Sequence, residues 1–579
     1  MGNTGINYRN LNKSLTYKIR RRRLPAFRRE INSWGQAGVV HRIKKYWNLW
    51  KQEPVLHRLA FYILVLVGVA LRIGYIFQTV RNDEAYTYLA YASNPLKVIV
   101  SFYNVPNNHI LSSIFIHFST MFFGNNIVAL RLPSFIAGVL VVPATYLLVR
   151  KLYNKNAGLL AMGLVAVSSG MVNYSTQARG YMIQTLLLIV LVLVGIYLIH
   201  KNTIGGWIAF TIISVLALYT IPTFLYFFPA VMIWVFLSRF FKHYDRGKLI
   251  KRSLASLGGI IALTLILYIP VFLQSGFYAF KGDPRFNGGM VTLRWTKFLH
   301  GIPSNVRDIW TALNMGIPTF VILVLVIGIL TALVFWKRIS KVGNNLPLII
   351  LVWTALVYLE QRQIAYPRVF IPLIPLYLGF AAIGLYALGN LVVERVKRVR
   401  PVKVKTYWSY ILLFALVAIL AFSIVAYQAP YQLSEWGEIN GATMRDAKKV
   451  TAVLKKTLKP GDMVFTEPGL GTNPLEYYFR QYKIPTTYLM CDVSQQSHWE
   501  KQMGDFMIRS FQPKDVGKIK RAIFVTAFRE QQPPKTVLFY AQFEYYLDYA
   551  NFKNIGNIYE TDWSAITVFK RIKAASNKW

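Results

Sequence analysis

The chain alternates long apolar runs with short, strongly charged breaks. Long runs cover Leu56–Phe77, Ala129–Leu148, Gly158–Val172, Met182–Ile199, Trp207–Phe240, Leu254–Leu273, Ile317–Phe335, Leu346–Leu359 and Tyr410–Tyr427. Another run closes at Leu388, and a short one opens after His109 and ends at Phe123. A helix needs about 20 apolar residues to cross the hydrocarbon core, so the pattern predicts a polytopic α-helical membrane protein of about 10–13 transmembrane helices. Trp207–Phe240 is long enough for two helices broken at Pro222. The tyrosine-rich stretch Ala85–Asn108, with Pro95 and Pro106, reads as short helices lying at the membrane interface. Gln274–Asp308 reads as a hydrophilic loop, and its Lys281, Arg285, Arg294 and Lys297 suit an anionic ligand.

From about Ala429 the period changes. Helical patterns over Gly441–Leu458 and Asn473–Tyr482 alternate with strand-like Asp462–Thr466, Thr486–Leu489, Arg521–Thr526 and Ala565–Phe569. Such alternation predicts a small α/β domain. The expected organisation is a basic tail over 1–54, a membrane domain over 55–428 and an α/β domain over 429–579. Gly469-Leu470-Gly471 is a fragment of a phosphate-cradling glycine motif and reads first as a simple turn.

Composition agrees: 54% of residues are hydrophobic and 15% aromatic. The formal net charge of +42 changes the picture more. In a soluble chain it would point to nucleic acid. Here the cations collect in the tail and between apolar runs, where they meet anionic lipid headgroups, so the expected partner is the membrane and not nucleic acid. The tail, with Arg20-Arg21-Arg22-Arg23 and Arg28-Arg29, is too long and too charged for a signal-peptide n-region. The first run then reads as an uncleaved signal-anchor, with a cytoplasmic N-terminus and Asp83-Glu84 on the opposite face. A single cysteine, Cys491, excludes an intrachain disulfide and a cysteine-built metal site.

Candidate chemistry starts at Arg81-Asn82-Asp83-Glu84-Ala85-Tyr86, directly after the first apolar run. A carboxylate at the mouth of a membrane helix can take a proton from an acceptor hydroxyl or hold a divalent cation. It can equally start a solvated loop or cap a short helix. His109, at a helix start, can be a ligand, a proton carrier or a solvated end residue. Arg179, between two apolar runs and followed by Gly180, can hold a phosphate or anchor among headgroups. Arg362 and Arg368 sit among prolines in Glu360–Pro372, a pattern of a broken or re-entrant membrane edge.

The ordered set of these motifs resembles the GT-C glycosyltransferases that use polyprenyl-phosphate sugars. The similar groups are the family 39 protein O-mannosyltransferase-like enzymes, the aminoarabinose transferases of lipid A and the RgtA/B/C/D-like bacterial enzymes. The resemblance is carried by Asp83-Glu84-Ala85-Tyr86, Asn107-Asn108-His109-Ile110-Leu111, Arg131-Leu132-Pro133-Ser134 with Gly138, Gln177-Ala178-Arg179-Gly180-Tyr181 and Tyr366-Pro367-Arg368-Val369-Phe370-Ile371-Pro372. Two departures stand out: no Pro-Pro follows His109, and the late arginine precedes Val-Phe instead of Tyr.

The resemblance implies inverting transfer of a hexosyl or pentosyl group from a polyprenyl phosphate to a hydroxyl of a lipid, glycan or protein, on the external face of a cell-envelope inner membrane. It implies Asp83 as base and Glu84 beside it. It implies Arg179, Tyr181, Arg362 and Arg368, with Lys281 and Arg285, as donor and phosphate ligands. A divalent metal ion on Glu84 and His109 is the one cofactor it allows. The competing class is a transporter or flippase of lipid-linked sugars, which also needs cationic cavities and broken helices.

Overall fold

The computed structural model describes residues 47–103, 106–241, 245–276, 293–399, 406–433, 444, 446–466, 472–485, 489–490, 519–527, 552–561 and 564–572. The arginine clusters of the tail, Lys281, Arg285, the 469–471 turn and Cys491 lie outside the described residues. The chain divides into two compact units, Met1–Ile63 and Leu64–Trp579. In the first, the Trp50 indole donates to the Tyr62 hydroxyl at 2.9 Å and packs edge-on against Phe61.

The second unit is mainly helical. Among the described residues seven helices are long and apolar enough to cross a membrane, eight with the bent pair Lys155–Val167 and Ser169–Ser175. Four shorter apolar helices, Ile110–Phe123, Ile204–Thr220, Leu346–Gln361 and Ile411–Tyr427, bring the count into the expected range only if they cross too. The bend of 59° falls at Ser168. It is held by Arg72, a fully buried arginine of the span Val55–Tyr75. Its guanidinium donates to the Ala166 carbonyl on one side of the break and to the Ser175 hydroxyl on the other. Carbonyls released at a helix break need such a donor where no water reaches. The expected break near Pro222 is a short 3-10 turn, Pro222–Tyr226. The spans Thr319–Ile339 and Ile374–Val399 approach at backbone distance through Gly328 and Gly384. A Cβ on Gly328 would meet the Ala381 carbonyl, and one on Gly384 the Gly328 carbonyl. Small residues serve this role between membrane helices.

The α/β portion carries a five-stranded sheet in the order β2-β1-β3-β5-β4, with β1 Asp462–Thr466, β2 Leu489–Met490, β3 Arg521–Ala527, β4 Phe552–Glu560 and β5 Ser564–Arg571. β1 runs parallel to β2 and β3, and β5 antiparallel to β3 and β4. The predicted strands correspond to β1, β3 and β5. At the second predicted strand only its end is described, as β2. β4 was not foreseen: it is an edge strand, almost wholly exposed, with two register shifts, so it lacks the alternation that marks a half-buried strand.

Two expectations are corrected. Ala85–Asn108 was expected as interfacial helices, but its first part, Ala85–Ala92, is packed inside protein, while Pro95–Lys97 is exposed. Its helical turns Asn82–Tyr86 and Thr87–Ala92 are buried in protein, with Ala85 and Tyr91 fully enclosed. Val80, Ala85, Tyr88 and Leu89 share one apolar core with Tyr477, Tyr478 and Ile523 of the α/β portion. The expected loop Gln274–Asp308 gives way from Trp295 to a helix, Trp295–Leu313, whose apolar positions were hidden among charges.

Candidate active site

Glu84 is the fixed point of the site. It is fully buried on the short helix Asn82–Tyr86, and its two oxygens accept four hydrogen bonds. Oε1 takes the Arg131 Nε at 2.8 Å and the Ala178 amide at 2.7 Å. Oε2 takes the Arg131 Nη2 at 2.6 Å and the Arg81 amide at 3.0 Å. Burial pushes the Glu84 carboxyl up, but Arg131, Arg81 and these hydrogen bonds outweigh it and hold it below the usual range. Arg131 is equally saturated. Its remaining N–H groups donate to the carbonyls of Ile76, Gln78 and Thr79, which end the first span. One buried ion pair therefore joins the span Ile127–Leu152, the chain leaving the first span, the acidic helix and the Gln177–Gly180 loop.

That loop is stitched residue by residue. The Ala178 amide goes to Glu84, the Arg179 carbonyl accepts from the Ser134 hydroxyl at 2.7 Å, and the Gly180 amide donates to His109 Nδ1 at 2.8 Å. A Cβ on Gly180 would press into Thr220 and His109, so this close approach requires glycine. The contact leaves the His109 proton on Nε2. His109 is buried edge-on against Tyr181, ring centroids 5.0 Å apart. Burial, then Arg179 and Arg368, keeps its pKa well below the ordinary histidine value.

Asp83, one residue before Glu84, points the other way. Its Oδ2 lies 3.2 Å from Arg368 Nη1 and 3.5 Å from Arg179 Nη2, and its side chain is 28% exposed. Arg179 also reaches the Thr87 hydroxyl at 3.2 Å and lies over the Tyr181 ring. Arg368, on the 3-10 turn Pro367–Leu373, stacks on Tyr366 at 4.6 Å. The Asn107 side-chain Nδ2 donates to the Asp83 backbone carbonyl. From the α/β portion, Asn473 donates to the Asn82 side chain at 2.8 Å, and the Val80 amide donates to the Tyr478 hydroxyl at 3.0 Å.

The structure thus brings together Asp83, Arg179, Tyr181, His109 and Arg368 of the expected set. Glu84, expected beside Asp83 in catalysis and with His109 on a metal, has both oxygens engaged in four hydrogen bonds, and His109 Nδ1 accepts from the Gly180 amide. Among the described residues no group of three or more His, Cys, Asp or Glu could hold a metal ion. Arg362 stands apart: it lies over the Trp295 ring at 5.3 Å, with a left-handed backbone at φ 50. Lys281 and Arg285 lie outside the described residues. Arg81 and Arg131 stood within the quoted motifs but were given no role. For Arg131 the available signal was an arginine inside an apolar run, which in a membrane must find a carboxylate or carbonyls.

The fold, a polytopic helical domain followed by a small α/β portion, is shared with solved structures of low sequence identity. Residues 104–272 match the family described as dolichyl-phosphate-mannose-protein mannosyltransferase. ArnT from Cupriavidus metallidurans in the apo state superposes with a TM-score of 0.52 at 12% identity, covering 88% of this chain and 97% of that one. The same ArnT bound to undecaprenyl phosphate gives 0.47 at 12% identity, over 89% and 99%. The Archaeoglobus fulgidus oligosaccharyltransferase in complex with Zn and sulfate gives 0.47 at 14% identity, over 87% and 72%. No curated protein matches the chain.

Proposed function

We propose that the chain moves a sugar from a polyprenyl-phosphate donor to a hydroxyl of a lipid, glycan or protein acceptor on the external face of the membrane. The observation that carries this reading is the partly exposed Asp83 carboxylate bracketed by Arg179 and Arg368 at the rim of an apolar helical domain. The family match to a dolichyl-phosphate-mannose-dependent enzyme supports a lipid-phosphate donor.

In this reading the two arginines bind the donor's phosphate oxygens and are thereby drawn off Asp83. The acceptor hydroxyl then attacks the anomeric carbon and Asp83 takes its proton. The bond from that carbon to the phosphate oxygen breaks, with inversion. The departing lipid phosphate gains a negative charge beside Arg179 and Arg368, where fixed cations in a partly dry site stabilise it most. Four arginines, 81, 131, 179 and 368, surround two carboxylates, an excess of cations suited to that product. His109 and Tyr181 wall the Arg179 side, and Tyr366 backs Arg368. No step is assigned to a metal.

The test supplies purified protein in lipid with polyprenyl-phosphate sugars and a membrane-lipid extract. Release of unglycosylated polyprenyl phosphate is followed by mass spectrometry. Release that requires both the extract and Asp83 is expected, and the newly glycosylated species identifies the acceptor. Movement of the lipid between leaflets with no release would assign the chain to the flippase class.

A further inference from the structure

The helix Trp295–Leu313 has no part in the chemistry above, and it has three distinct faces. Phe298, Asn305 and Ala312, spaced by seven, are buried at 0%, 3% and 3% exposure. This face docks on the protein: Asn305 donates to the Ala365 carbonyl at 2.9 Å and accepts from the Tyr358 hydroxyl at 2.7 Å. Lys297, Ser304 and Thr311, also spaced by seven, form an exposed polar face, flanked by His300 and Arg307. The third face is Trp295, Leu299, Ile302, Val306, Trp310 and Leu313. Steps of three and four put them on one stripe with no charge in it. Trp295, Leu299, Val306 and Trp310 are 51%, 53%, 52% and 42% exposed.

Connectivity limits what can cover this stripe. Leu313 is followed at Thr319 by a membrane span, so the helix ends at the membrane boundary. A tryptophan stands near each end of the stripe, and tryptophan favours the headgroup level. The opposite face is polar, with Lys297, Arg307 and Asp308, the last two 3.9 Å apart, as in helices that lie at a lipid interface. We propose that Trp295–Leu313 is an in-plane helix docked on the lipid surface, its apolar stripe in the acyl–headgroup boundary. The helix and the residues just before it grip the segment leading to Arg368: besides the Asn305–Ala365 bond, the Leu293 amide donates to the Arg362 carbonyl at 2.9 Å, and Arg362 lies over the Trp295 ring at the end of the stripe. The lipid surface thereby sets the depth at which Arg368 is held. The docking itself does not depend on the sugar-transfer reading.

The test is depth measurement on the full chain in vesicles of phosphatidylcholine with phosphatidylglycerol. In a Cys491→Ser background, spin labels are placed at Val306→Cys on the stripe and at Ser304→Cys on the polar face. Leu299→Cys serves as a second stripe position should the first variant fail to fold. Relaxation by oxygen, which concentrates in lipid, is compared with relaxation by a water-soluble nickel chelate. The stripe label should respond several-fold more to oxygen than to nickel, and the polar-face label the reverse. A stripe label relaxed chiefly by nickel would place the stripe in water. One shielded from both would mean a second copy or residues 277–292 covers it. Either result overturns the proposal.

Discussion

Two adjacent carboxylates, Asp83 and Glu84, end in opposite surroundings. Glu84 is sealed in protein with every lone pair used and a fork of two hydrogen bonds to Arg131. Asp83 is partly open and touches its arginines at 3.2 and 3.5 Å. A charge pair of the first kind is held by geometry and tolerates no loss of a partner. A pair of the second kind is loose enough for an incoming anion to replace one member. The same residue types thus serve architecture on one side of a single helical turn and exchangeable binding on the other.

The largest effect expected from this contrast is on folding. Glu84→Gln should lower stability by about 3–5 kcal/mol, because it strands a buried arginine, read as a large fall in the thermal midpoint in lipid nanodiscs. Unchanged stability would mean the buried pair does not hold the site. Next in size, Arg368→Gln and Arg179→Gln should each cut turnover by about 10²-fold by removing a donor to the developing phosphate charge, with only a small change in midpoint. A midpoint fall as large as that of Glu84→Gln would show that these arginines are structural too. Gly180→Ala should lower both activity and stability moderately, since the new Cβ displaces His109.

The smallest effect is a pH dependence. His109 is held neutral when folded, while an unfolded histidine takes a proton below about pH 6.5. Its contribution to stability is therefore complete above that pH and is lost as the pH falls below it. Glu84, also depressed, loses its contribution only below about pH 4.5. Between pH 7.5 and 5.5, roughly, the thermal midpoint should fall more for the parent protein than for His109→Gln. Equal slopes would remove His109 from this role.

Much of this was legible in the sequence. Apolar runs located the spans because lipid enforces length and polarity, and the acidic pair, Arg179 and Arg368 were visible as charges at membrane edges. What was not legible depended on partners distant in the chain. Nothing in Asp83-Glu84 distinguishes which carboxylate turns inward. That follows from Arg131, 47 residues from Glu84, and from the Ala178 amide. A metal on Glu84 and His109 was a reading of residue types, which do not show that Glu84 accepts four hydrogen bonds and His109 Nδ1 one. Helix Trp295–Leu313 was read as a loop because its polar face interrupts every apolar run.

The most direct test of the division of labour is Asp83→Asn, measured beside the parent for polyprenyl-phosphate release and for thermal midpoint on the same preparation. The predicted result is a loss of turnover of about 10²–10⁴-fold with a midpoint within a degree or two, roughly that of a surface substitution. Turnover retained in full, or a collapse in stability like that of Glu84→Gln, would contradict it.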